Sequence, residues 1–268
     1  MLPAGHIDGK RMAAYVGMTF ALTYCMWGLL ALNPRGLLPL GGALGTVIFI
    51  IGCNAPPIVV FVLLMRWKEI GGLREYLKRV VHAEYGARRA LLVTVAFFVV
   101  EIGLVAVLQQ RTEQPLSMFV PVFALTVTGG GLEEIGWRGF LLPGFERRLP
   151  FAAAVLIVGV IWSLWHIPLW FIVGTSNSTF SFPYFALFCL TNGCVLGALR
   201  KISGSVLPCV LFHMLLDTLG SFFIMTDVFR GNDTPLALAF VAQAVVAVTL
   251  VAVLDRKLNP SRGRDTVQ

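Results

Sequence analysis

The sequence predicts an all-α, polytopic membrane protein of about eight transmembrane helices, with its functional site inside the helix bundle. Three observations carry this. Of 268 residues, 57% are hydrophobic and only 13% charged, against about 25% charged in a soluble domain. Mean hydropathy is +0.81. Apolar runs of roughly 20 residues, enough to cross a bilayer as helix, recur along the whole chain.

The runs fall at about 13–32, 43–65, 90–109, 117–142, 151–173, 180–199, 205–225 and 235–254. In the second, Asn54-Ala55-Pro56-Pro57 removes backbone donors and predicts a kink. Lys10 and Arg11 precede the first run without a small-residue cleavage site, so it reads as a transmembrane helix and not a removed signal peptide.

The charge pattern sets an orientation. With the N-terminus inside, the inner segments carry Lys10, Arg11, Arg66, Lys68, Arg74, Lys78, Arg79, Arg88, Arg89, Arg147, Arg148, Arg200, Lys201, Arg256, Lys257, Arg262 and Arg264. The outer loops carry only Arg35, Arg111 and Arg230. This asymmetry follows the positive-inside rule and predicts a cell-membrane protein with both termini cytoplasmic. The net charge of +7 is therefore a topology signal, not a sign of nucleic-acid binding. Residues 66–89 are basic, with Leu73, Tyr76, Leu77, Val80 and Val81 at helical spacing. They read as an amphipathic helix on the lipid surface. The five cysteines all lie in apolar runs without a CxxC spacing, as buried apolar residues do.

Ionisable residues inside the runs are few, and each is costly there. Glu133, Glu134 and Arg138 lie on the fourth run, His166 on the fifth, and His213 and Asp217 on the seventh. Glu134 and Arg138 are four apart and share a helix face. Glu133 is turned by about 100° from Glu134, so the two carboxylates can differ in role. Gly129-Gly130-Gly131 ahead of them permits close approach of another backbone or a ligand. Trp162 sits one turn before His166, and Pro168 predicts a kink just after it. His213 and Asp217 again share a face, where a carboxylate can orient an imidazole. Glu101, alone in the third run, reads as a pairing residue. Gly193 and Gly197 form a GxxxG packing motif.

Glu133-Glu134-Ile135-Gly136-Trp137-Arg138, then Trp162 through His166, then His213-Met214-Leu215-Leu216-Asp217 resemble three motifs of the CAAX protease and bacteriocin-processing family, which includes the type II CAAX prenyl endopeptidases. The likeness covers about 117–220. It departs at Trp162, where phenylalanine is usual, and at Asp217, where prenyl endopeptidases commonly have asparagine. The resemblance divides the chain into N-terminal helices (1–116, with the basic segment 66–89), a CAAX protease-like catalytic core (117–225), and a last helix with a basic tail (226–268).

The activity implied is intramembrane hydrolysis of a peptide bond in a membrane-associated or lipidated peptide or protein. Glu133 would activate water, His166 would share it, and Glu134 with Arg138 would hold the constellation. Two versions stay open for the rest. Without metal, His213 and Asp217 polarise the scissile carbonyl. With zinc, His166, His213 and Glu133 are the ligands, and Asp217 joins or orients them. Two other classes also remain: a transporter relaying protons or cations through the glutamates, which predicts internal repeats that the sequence lacks, and a non-catalytic scaffold on the same fold.

Overall fold

The computed structural model describes residues 7–33, 40–108, 112–179, 181–222 and 234–258. The helices are α1 (Gly9–Ala31), α2 (Ala43–Cys53), α3 (Ala55–Arg66), α4 (Leu73–Val80), α5 (Ala87–Leu108), α6 (Phe119–Thr126), α7 (Glu133–Gly136), α8 (Leu142–Glu146), α9 (Phe151–Trp165), α10 (Phe182–Ser203), α11 (Leu207–Phe222) and α12 (Thr234–Leu258). No strand occurs among the described residues. The protein is an all-α polytopic membrane protein.

Local chemistry fixes the element ends. Asp8 caps α1, its Oδ1 accepting from Arg11 N at 2.8 Å. Asn54 ends α2, and its Nδ2 donates to Ile50 O at 2.8 Å and Thr128 O at 2.9 Å. Pro56 and Pro57 then open α3, where their missing N–H groups cost nothing. The two helices meet at 60°, the bend that the proline pair predicts. Gly204 closes α10 in the left-handed conformation at φ 68°.

Five helical stretches are long and apolar enough to cross a membrane, or six with α2 and α3 taken as one bent span. The seventh expected run forms a shorter apolar helix, α11, and the eighth corresponds to α12. Helix length alone thus accounts for five or six of the eight expected spans. Outward-facing Leu29, Leu91, Val99, Leu125 and Val246 are exposed, as lipid-facing side chains are.

Two expectations change in detail. Between α3 and α5 the amphipathic segment 66–89 is helical only over α4, and its apolar residues divide. Tyr76 and Val80 are buried against the protein, whereas Leu73, Leu77 and Val81 face outward. Pro168 does not kink a continuing α-helix. It sits in a 3-10 turn, Ile167–Phe171, after α9 has ended, which leaves His166 at a helix terminus.

An aromatic core holds the first helices to the rest. The Trp27 and Trp165 rings pack at a tilt with centroids 4.8 Å apart, the Trp137 centroid lies 5.8 Å from that of Trp165, and that of Tyr15 5.0 Å from that of Phe140. Thr23 accepts from Trp165 Nε1 at 2.7 Å and donates to Gly52 O at 2.9 Å. Gly136 is where this packing is tightest: a Cβ there would lie 2.1 Å from Tyr15 Oη and 2.7 Å from Pro56 Cβ. Gly193 and Gly197 face Gly159 and Val155 on α9, which is the helix-packing role expected of GxxxG.

One end of the bundle gathers the charged loops. Arg11 pairs with Glu69 and lies over the Trp67 ring. Lys201 bridges Glu146 at 2.7 Å and Asp255 at 3.1 Å. Arg89 Nε donates to Ile202 O, and Glu84 N to Gly204 O, both at 2.9 Å. At the opposite end, Thr112 donates from N to Phe222 O at 2.8 Å and from Oγ1 to Ser221 O at 3.1 Å.

Candidate active site

The fourth apolar run is not a uniform α-helix. Two π-helical stretches, Val127–Gly131 and Trp137–Leu141, flank the single turn of α7 that begins with Glu133 and Glu134. Such i→i+5 stretches break the regular helical register and are frequent at functional sites. Here they bracket the two carboxylates.

Glu134 is fully buried in the wall. Its Oε1 accepts from Arg138 Nη1 at 3.0 Å and lies 2.9 Å from His213 Nδ1. A carboxylate shared with a guanidinium accepts, so Nδ1 of His213 carries the proton. Arg138 is 1% exposed, and its guanidinium lies 4.6 Å over the Trp162 ring. The pair offsets part of a desolvation cost of several kcal/mol per ion, since Glu134 Oε2 and Arg138 Nη2 are buried without a hydrogen-bond partner.

Glu133 points elsewhere. It lines a cavity of about 380 Å³ with Trp162, His166, His213 and Asp217. Its Oε2 accepts from Trp162 Nε1 at 2.9 Å. His166 Nδ1 lies 2.8 Å from Trp162 O. A carbonyl accepts, so Nδ1 is the donor and Nε2 keeps its lone pair. Trp165 and Phe185 press edge-on against the His166 ring, with centroids at 4.7 and 5.1 Å. Phe49, Phe185 and Phe188 add apolar wall.

The six residues expected at the site, Glu133, Glu134, Arg138, His166, His213 and Asp217, are thus in one neighbourhood, four around the cavity and two behind it. Their pairing differs from the expectation in one respect. Asp217 Oδ1 lies 3.7 Å from His213 Nε2, beyond hydrogen-bond range. The carboxylate that fixes the His213 ring is Glu134. Glu101 stands apart, accepting from Gln243 Nε2 at 3.2 Å, a pairing role.

Trp162 does more than its place as an aromatic suggests. It bonds Glu133, covers Arg138, and meets the His166 and His213 rings with centroids at 5.6 and 5.3 Å. Its N–H, a donor that phenylalanine lacks, was the signal for this in the sequence. Gly130 completes the site from below: a Cβ there would lie 2.3 Å from Asp217 Oδ2 and 2.9 Å from His213 Nε2.

Residues 115–219 match the family described as type II CAAX prenyl endopeptidase Rce1-like, a stretch that contains every residue of the cavity's ionisable set. The match covers less than half of the chain, and it is this stretch that is similar to the family. A 67-residue stretch is 36% identical to CAAX prenyl protease 2 of Methanococcus maripaludis. That match covers 25% of this chain and 23% of the relative, so the chain spans less than a quarter of the relative's length.

The three expected zinc ligands, His166, His213 and Glu133, line the same cavity. Among the described residues, no three His, Cys, Asp or Glu side chains are gathered to hold a metal ion. Glu134 and the Trp162 carbonyl engage Nδ1 of the two histidines, which leaves Nε2 of each ring, the one nitrogen that an imidazole needs to ligate.

The buried pair generates a stability prediction. Arg138→Met takes the guanidinium from buried Glu134, leaving it His213, and is expected to cost about 3–5 kcal/mol. The double variant Arg138→Met with Glu134→Leu should recover part of that loss. Thermal unfolding of the detergent-purified proteins measures both.

Proposed function

We propose that the protein is an intramembrane endopeptidase that hydrolyses a peptide bond of a membrane-associated or lipidated peptide or protein, using water activated by Glu133. The observation that supports this most is the convergence of Glu133, His166 and His213 on one cavity inside the bundle. The similarity of residues 115–219 to the type II CAAX prenyl endopeptidases supports the reaction class.

In this reading a water sits between Glu133 and His166. The indole bond holds one oxygen of Glu133 and leaves the other to take the water proton. His166 accepts the second water O–H at Nε2, the tautomer that the Trp162 carbonyl favours. The water oxygen attacks the scissile carbonyl carbon, and the carbonyl oxygen becomes an oxyanion. His213, as an imidazolium, keeps Nδ1–H on Glu134 and gives Nε2–H to the oxyanion. The proton held by Glu133 then passes to the leaving amine as the C–N bond breaks. Asp217 faces Nε2 and balances the imidazolium between turnovers. Glu134 and Arg138 position His213 and do not touch substrate. No step passes through a metal.

The aromatic wall gives the cavity an apolar lining and excludes bulk water, which strengthens each of these electrostatic contacts. We place the chain in the cell membrane with both termini cytoplasmic and lipid around its outward faces. The basic loops support that orientation, and no nucleic acid is a partner.

Cleavage of a fluorogenic peptide by purified protein tests the reading. Glu133→Ala should lower kcat by at least about 10²-fold, the lower bound for general-base loss; cleavage unchanged in that variant would sink the proposal. Exhaustive chelation should leave the wild-type rate intact, whereas a loss restored by added zinc would reinstate the metal version. Trp162→Phe removes a hydrogen bond to a charged group while keeping an aromatic ring. Such a bond contributes about 1.5–3 kcal/mol, so kcat should fall by roughly 10- to 100-fold with KM nearly unchanged.

A further inference from the structure

The ends of the bundle differ in charge, and exposed residues of the cavity lining lie toward one of them. The charged end contains Lys201, Glu146, Asp255, Arg89, Arg11 and Glu69, tied together by the contacts described above. Every Lys and Arg of the described loops belongs to the segments that lead into this end. Arg35, Arg111 and Arg230, the few basic residues of the other loops, lie outside the described residues.

The cavity runs the other way. Counting from the charged end at about 1.5 Å per residue, Glu133 lies roughly 22 Å from Arg148 along its span, and His166 as far from Phe151. That is over two thirds of a hydrocarbon core of about 30 Å. Between the site and the charged end, Trp137, Phe140, Leu141, Leu196 and Leu199 are fully buried. They close the bundle beneath Arg138. Toward the opposite end the cavity is lined by Gly129, Ser176, Gly220 and Ser221, all four exposed. Each lies on the far side of a site residue from the charged end: Gly129 before Glu133, Ser176 after His166, Gly220 and Ser221 after Asp217. Ser221 itself bonds Thr112 at that end.

We infer that the cavity opens on the extracytoplasmic face, and that its substrate is a polypeptide segment already outside the cytoplasm: an exported peptide, or the outer juxtamembrane part of a membrane protein. The inference rests on the peptidase reading of the site and adds the side of entry. Positive loops stay cytoplasmic, so the charged end faces inward and the mouth outward. A prenylated tail made in the cytoplasm would meet the closed end of the bundle.

Two measurements test this separately from the chemistry. Ser176→Cys and Ser221→Cys report the mouth, and Lys78→Cys on exposed α4 reports the charged end. Intact cells are treated with a membrane-impermeant maleimide, with wild-type protein as the blank for native thiols. Both mouth variants are expected to label at least tenfold more than Lys78→Cys, and permeabilisation should abolish the difference. Labelling of Lys78→Cys alone in intact cells overturns the inference, whatever the protein's activity. An impermeant, unlipidated fluorogenic peptide is then supplied to right-side-out and inside-out vesicles. Cleavage at least tenfold faster in right-side-out vesicles, lost in Glu133→Ala, is the expected result. Cleavage only in inside-out vesicles overturns the side of entry and leaves the peptidase reading intact. Outward labelling with no cleavage from either side keeps the orientation and removes the peptidase reading.

Discussion

A guanidinium with 1% exposure inside an apolar helix bundle must have a counter-charge, and Arg138 finds it one turn away in Glu134. Most of the site follows from that pair. Glu134 has a second partner, His213, so the ion pair on one helix also fixes a ring on another. Trp162 lies over the guanidinium and, from the same indole, bonds the neighbouring carboxylate. The buried pair therefore holds α7, α9 and α11 in register. Because Glu134 answers the arginine, Glu133 remains available to the cavity. Two adjacent acids acquire different surroundings from one buried cation.

Much of this was legible in the sequence because it rests on short-range geometry. The four-residue spacing of Glu134 and Arg138 places them together on any helix, and they are 3.0 Å apart. The rarity of ionisable groups in apolar runs singled out His166, His213 and Asp217. Asn54 with two prolines announced the 60° bend. The illegible parts depend on packing across long separations. The bond between His213 and Glu134 joins residues 79 positions apart, and no local rule ranks Glu134 above Asp217 as the partner. The π-helical stretches, VTGGG and WRGFL, are equally silent, since no local pattern in them sets the i→i+5 bonding apart from a regular helix. The face of α4 that turns inward is likewise decided by tertiary contacts: Tyr76 donates to Pro57 O at 2.9 Å.

The same packing limits what the cavity can admit. Its walls are aromatic and its polar groups converge on one side. An extended peptide has backbone groups that need partners and side chains that do not. A chamber of this composition suits a segment of polypeptide unwound near a membrane surface better than a hydrated ion, which requires ligands on all sides. Its deep position in the bundle also restricts water access.

The glycine beneath Asp217 and His213 has a practical consequence. The floor of the chamber at Gly130 is bare backbone, and one added methyl would fall within 2.3 Å of Asp217 Oδ2 and 2.9 Å of His213 Nε2. Alanine at that position would keep every acid, base and cation of the site while taking away the room between them. It offers a way to separate chemistry from shape: a protein with all its reactive groups present and its reaction vessel filled.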